Sequence, residues 1–197
     1  MIQSFCVGNK FEIVPAGCVV NYVERTQIFL GRGKAFGSGE HETTSTCIEF
    51  LETIDWRKSE RVLDIGTGTG ILGLVALKLG AVEIIALDNN PDAVKTNLLN
   101  SNLNNLKQHI KIIQGELHCI KNMKFDIICA NIYSDILFEL APEIVKRITD
   151  SGFLLLSGIN IHQRDDMKTL YGKLLGSETL LIKSGDEFST MLFQKNQ

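Results

Sequence analysis

The segment Val62-Leu63-Asp64-Ile65-Gly66-Thr67-Gly68-Thr69-Gly70 constrains the fold more than any other: a short apolar run with one embedded acid breaks into three glycines spaced by two. A buried strand that ends in glycines and restarts at once as a helix is the turn of a parallel α/β unit, and glycine lets a ligand approach bare backbone there. Apolar residues at 71, 72, 74, 75, 76, 77 and 79 predict a helix over 71–79, closed by Gly80. The unit then repeats. Strands are expected at 61–65, 83–87, 110–113, 125–130 and 153–157, with helices at 91–103 (opened by Pro91), 135–147 and 163–174. Strand alternating with helix in units this short implies right-handed crossovers and helices on both faces, a doubly wound α/β domain with a mostly parallel sheet.

Both ends depart from that rhythm. Stretches 177–182 and 188–193 read as strands joined by Lys183-Ser184-Gly185-Asp186-Glu187, too short for a crossover helix, so a C-terminal antiparallel hairpin is expected. Residues 1–35 lack helical periodicity and read as a strand-rich N-terminal appendage, with short strands at 11–14 and 27–30, ahead of a main domain over 36–197. The asparagine-rich stretch 100–105 reads as a frayed helix end and turn.

Composition narrows the class. With 197 residues, 44% apolar and 22% charged, the chain suits one well-cored domain. A formal net charge of −3 offers no bulk attraction for nucleic acid, and no apolar run reaches membrane-spanning length. Five cysteines, odd in number and without a CxxC pair, argue against a disulfide framework or a zinc knuckle and for a cytoplasmic protein; Cys129 reads as core filler. His109, His118 and His162 have no companion at ligand spacing, so no metal is expected.

The glycines fit two ligands. Gly68-x-Gly70-x-x-Gly73, with Asp88 about 20 residues on, formally satisfies the dinucleotide fingerprint of nicotinamide oxidoreductases. In that fingerprint the first glycine directly follows the strand, and here the residue that follows is Gly66; a proton-relay pattern such as Tyr-x-x-x-Lys is also missing. The register Asp64-x-Gly66-x-Gly68-x-Gly70 resembles instead the first motif of class I S-adenosylmethionine-dependent methyltransferases. Asp88, at the end of the second main-sheet strand with Asn89 beside it, can accept hydrogen bonds from both hydroxyls of a ribose; its other reading is a helix N-terminal acid before Pro91. Glu116 follows the third strand where this class often places an acid near an adenine amine, and it reads equally as a solvated loop charge.

A second dense segment, Lys34-Ala35-Phe36-Gly37-Ser38-Gly39-Glu40-His41-Glu42-Thr43-Thr44, is a glycine-flexed loop with an aromatic. It leads into a helix expected over 44–51, whose free N–H groups suit an anion such as a carboxylate, or for which Thr43 or Thr44 is the N-cap. Together with the glycine motif, Ala130-Asn131-Ile132 and Leu156-Ser157-Gly158-Ile159, this segment resembles the PrmA family, methyltransferases of the ribosomal large-subunit protein numbered eleven with relatives acting on lysines of other proteins. The resemblance runs from about residue 11 onward and implies a Rossmann-like fold, S-adenosylmethionine as cofactor and a protein substrate. It implies that Phe36, Gly37, His41, Thr43 and Thr44 surround the methionine end of the donor, with Asp64, Gly66 and Gly68 beneath it.

Asn131 is the candidate for chemistry, at the strand end where this class presents the acceptor nitrogen; its other reading is a turn former. Methyltransferases of planar amides or base amines usually carry Asn/Asp-Pro-Pro-aromatic here, the aromatic stacking on the flat acceptor. This chain has Asn131-Ile132-Tyr133-Ser134, which fits an aliphatic amine, a lysine side chain or a protein N-terminus, better than a nucleic-acid or small-molecule acceptor. Tyr133 either lines the acceptor channel or packs on the sheet. Family members carry a separate N-terminal recognition domain, and only about 30 residues precede the Phe-Gly loop here, so the resemblance covers the catalytic domain and implies a ribosomal substrate only indirectly.

Overall fold

The computed structural model describes residues 3–22, 24–33, 35–57, 60–120 and 123–196. Three N-terminal strands, β1 (Phe5–Val7), β2 (Phe11–Pro15) and β3 (Thr26–Leu30), form a small sheet in that order, β1 antiparallel and β3 parallel to β2. Helix α1 (Glu42–Leu51) leads into the main unit: β4 (Arg61–Ile65), α2 (Ile71–Leu79), β5 (Glu83–Asp88), α3 (Pro91–Leu103), β6 (Ile110–Gln114), β7 (Phe125–Asn131), α4 (Ser134–Val145), β8 (Ile148–Asn160), α5 (Arg164–Leu175), β9 (Thr179–Ser184) and β10 (Phe188–Gln194). The seven main strands lie in the order β6-β5-β4-β7-β8-β10-β9. The first five are parallel; β10 runs antiparallel to both β8 and β9 and forms the expected hairpin with β9.

The period-2 alternation of a strand splits these apolar runs into two cores. Val62, Ile84, Ala86, Ile127, Cys129 and Leu155 face α1, α2 and the N-terminal sheet, which contributes Phe11, Ile13 and Ile28. Leu63, Ile85, Leu87, Ile128, Ala130 and Leu154 face α4 and α5. The strand order reverses between β4 and β7, so a crevice opens above their carboxyl ends, and the loops carrying Gly66, Gly68 and Asn131 border it.

Four local expectations need correction. Strand β8 covers 13 residues where five were expected, because Thr149-Asp150-Ser151-Gly152 looks like a turn but belongs to a bulged extension, with Ser151 at φ 62° and the register shifting between Phe125 and Ile127. Strand β1 was not foreseen, being three residues long. Helix α1 begins at Glu42, and its N-cap is His41 rather than either threonine: His41 Nδ1 accepts from Thr43 N at 3.3 Å and lies 2.8 Å from Thr43 Oγ1. The asparagine-rich stretch does end α3 at Leu103 and turn at 104–105, as expected, but that end is not frayed. Asn97, Asn100 and Asn104 are buried, and Asn104 exchanges hydrogen bonds with both the N–H and the carbonyl of Phe29, closing the outer edge of β3.

Candidate functional site

A cavity of about 760 Å³ fills the crevice, within the usual size of a small-molecule site. Nine of the expected site residues line it: Phe36, His41, Thr43, Gly66, Gly68, Asp88, Asn89, Glu116 and Asn131. Gly37, Thr44 and Asp64 stand behind that lining. Lys34, at the head of the Phe-Gly segment, lies outside the described residues.

The glycine loop is shaped by what presses on it. Gly66 and Gly68 have φ of 69° and 52°, and a side chain on either would collide, at Gly66 with Ile132 and at Gly68 with the carbonyl oxygen of Phe36. The two glycines therefore serve close approach as well as backbone conformation, and each lets a different wall of the cavity come near. Asp64 is buried beneath the loop and accepts a 2.6 Å hydrogen bond from Thr67 Oγ1, which in turn accepts from Asn97 Nδ2 at 2.9 Å. Burial pushes the Asp64 carboxyl up to about 6; the neighbouring charge of Asp88 adds to the rise and the Thr67 hydroxyl opposes it.

At the end of β5, Asp88 accepts from Gly68 N through Oδ2 and from Asn90 N through Oδ1, both at 2.9 Å. Each carboxylate oxygen keeps a further acceptor position, so the group is fixed in orientation and still able to take a pair of hydroxyls. Leu87, Ala93 and Leu117 give the neighbouring wall an apolar character suited to a flat ring. Glu116 stands at that end with its side chain largely exposed, 3.5 Å from His118 Nδ1.

On the opposite side, Asn131 ends β7. Its Nδ2 donates to Thr43 Oγ1 and Thr44 Oγ1, each at 3.4 Å, so the threonines expected around the cofactor also orient the candidate catalytic amide. The turn after Asn131 is clasped to the end of β8: Ile132 N donates to Ser157 O at 3.2 Å, and Ser134 Oγ accepts from Asn160 N at 2.7 Å. Ser134, where amide methyltransferases carry an aromatic, is a structural clasp. Tyr133 is 74% exposed at the cavity and does not pack on the sheet.

Several lining residues were not expected. Ile136, Glu139 and Leu140 come from α4, and Phe188 from the start of β10, where its ring centroid lies 5.9 Å from that of His41. Periodicity assigns such residues to a core or a surface; only the packed fold brings them to the crevice. Cys47 and Cys129 are buried close by, and burial pushes the Cys47 thiol up to about 12 and that of Cys129 well above its ordinary value, so neither is a nucleophile at neutral pH.

Residues 3–196 match the family model described as ribosomal protein L11 methyltransferase (PrmA). The chain is similar to the ribosomal protein L11 methyltransferase of Colwellia psychrerythraea, 35% identical across 89% of this chain, and to that of Thermoanaerobacter pseudethanolicus, 36% identical across 96%. It spans 59% and 60% of the length of those two relatives. Among solved structures, a ribosomal protein L11 methylase from Lactobacillus delbrueckii subsp. bulgaricus superposes with a TM-score of 0.87 at 25% identity, covering all of both chains.

Proposed function

This chain belongs to the PrmA family, the ribosomal protein L11 methyltransferases, and from that premise we propose that it is an S-adenosylmethionine-dependent methyltransferase acting on an amine of a protein. The acceptor is a lysine side chain or an N-terminus, and a ribosomal protein is the candidate substrate. One observation carries the reading: a single cavity is bordered by the bare backbone of Gly66 and Gly68, the oriented carboxylate of Asp88 and the amide of Asn131. The donor set fits the cofactor, with an acid for ribose hydroxyls, an apolar wall for the adenine, and Phe36, His41 and Thr43 at the far end for the methionine group.

When bound, S-adenosylmethionine supplies a methyl group already activated on a sulfonium. What the residues of this chain contribute is alignment, exclusion of water and an amine in its neutral form. Asn131, with Nδ2 engaged by Thr43 and Thr44, offers Oδ1 as an acceptor that orients an amine N–H without forming the ion pair that would hold the amine protonated. Asp88 and Glu116, with Asn89, hold the nucleoside end; Gly37, Thr44 and Asp64 support the wall and floor from behind. No helix among the described residues is long and apolar enough to cross a membrane.

Calorimetry with S-adenosylhomocysteine and with nicotinamide dinucleotides, followed by transfer of labelled methyl groups to ribosomal proteins with free or acetylated amines, tests the reading. Binding of the homocysteine nucleoside and labelling that acetylation abolishes are expected. Nicotinamide binding alone, or label on RNA, would overturn it.

A further inference from the structure

We propose that Thr69 is a positioning residue for the amino-acid end of the methyl donor: it sets the distance between the Phe36–His41 wall of the cavity and the glycine loop. The proposal rests on the donor-site reading above. Thr69 is buried and does not line the cavity, so it acts through what it holds. Its N–H donates to Phe36 O at 3.0 Å, and its Oγ1 donates to Gly37 O at 2.6 Å. Its own carbonyl accepts from Asn100 Nδ2 at 2.8 Å, while Asn100 Oδ1 accepts from Gly31 N, also at 2.8 Å. The Phe-Gly loop is thus gripped on both flanks, at Gly31 and at Gly37, by one pair of side chains on α3 and the glycine loop.

The consequence passes along the wall. The Phe36 ring is 60% exposed and meets the His41 ring edge-on at 5.4 Å; His41 caps α1 through Thr43, whose hydroxyl holds Asn131. With so little packing on Phe36 itself, its backbone is fixed chiefly by Thr69. The hydroxyl bond to Gly37 therefore sets the wall that meets the methionine group, while at the nucleoside end Asp88 is carried on β5 and meets the glycine loop through Gly68 N, not through the Thr69 hydroxyl.

Thr69→Val keeps shape and volume and removes that bond. We expect its affinity for S-adenosylhomocysteine to fall about five- to tenfold, the worth of one neutral hydrogen bond. Affinity for 5′-methylthioadenosine, which has the nucleoside and thioether without the amino-acid group, stays unchanged. In turnover the KM for the donor rises by the same factor with kcat retained at saturation, and Thr69→Ser restores both. Thr69→Ala, which removes the same hydroxyl without placing a methyl group there, provides a second measurement if the valine variant does not fold. Wild-type protein that binds neither nucleoside overturns the donor-site reading and this proposal with it. Wild type that binds both, with the folded variants losing both ligands equally or neither, overturns this proposal alone.

Discussion

Replacing Asp64 with asparagine isolates the energetic consequence of placing a carboxylate beneath the glycine loop. Asparagine has the size of the protonated acid and keeps an acceptor for the Thr67 hydroxyl, so the substitution changes mainly the charge. Burial raises the carboxyl from 3.8 to about 6 in the folded protein. Between those two values the folded state holds a proton that the unfolded state has released, so stability falls as pH rises through that window and remains lower above it. The penalty is about 3 kcal/mol at pH 7.5 and about half that at pH 5. Urea denaturation of wild type and Asp64→Asn at both pH values measures it, and the difference between the two proteins cancels the carboxylates that do not interact with Asp64. The variant should be the more stable by about 3 kcal/mol at pH 7.5, with the gap roughly halved at pH 5. A gap independent of pH, or a variant less stable at pH 7.5, would refute the argument that Asp64 ionises against its surroundings. On the proposed function the charge is kept because the cavity above it receives a cation, so S-adenosylmethionine should bind more tightly above pH 6 than below it in wild type and without that dependence in the variant.

Other substitutions separate the parts of the site. Asn131→Ala should leave S-adenosylhomocysteine affinity within a few-fold of wild type, and lower kcat with a verified protein substrate by about a hundredfold or more, because it removes an orienting group at the reacting centre; steady-state kinetics beside calorimetry decide. Gly68→Ala forces a side chain into left-handed backbone and against the Phe36 carbonyl, so donor binding should be abolished and stability lowered by about 2 kcal/mol in denaturant titrations. Asn104→Ala orphans the N–H and carbonyl of Phe29, lowering stability by about 1–3 kcal/mol while donor affinity is preserved, since Asn104 holds the outer edge of β3 and not the loop.

Where the chain carries strong local punctuation, sequence and structure coincide. Helix α2 runs from Ile71 to Leu79 and α3 from Pro91 to Leu103, as expected, because Gly70, Gly80 and Pro91 act through backbone geometry that tertiary context seldom overrides. Positions whose role depends on distant partners were harder to read. Thr149 to Gly152 has the composition of a turn, and it is carried as a bulge between the Ile148–Phe125 and Phe153–Ile127 pairings with β7. Asn97, Asn100 and Asn104 have low helix propensity, yet each is fully used by a backbone or hydroxyl partner from another element. The same division holds in the site. Phe36 to Thr44 and Asp64 to Gly68 are contiguous motifs whose spacing is visible in one dimension, whereas Phe188 reaches His41 from nearly 150 residues away, and nothing in its neighbourhood marks it as a wall of the cavity.

The order β8-β10-β9 at one side of the main sheet has a consequence for how the protein is made. Strand β9 leaves the ribosome before β10, but among the described residues its one sheet neighbour is β10, whose Met191, Leu192 and Phe193 are buried. Until those residues emerge, β9 has no partner, β8 presents an open edge, and the half-exposed Leu180, Leu181 and Ile182 are available to other chains. Assembly of that flank therefore waits for β10, and Phe188, which opens the strand, joins the cavity wall in the same late step.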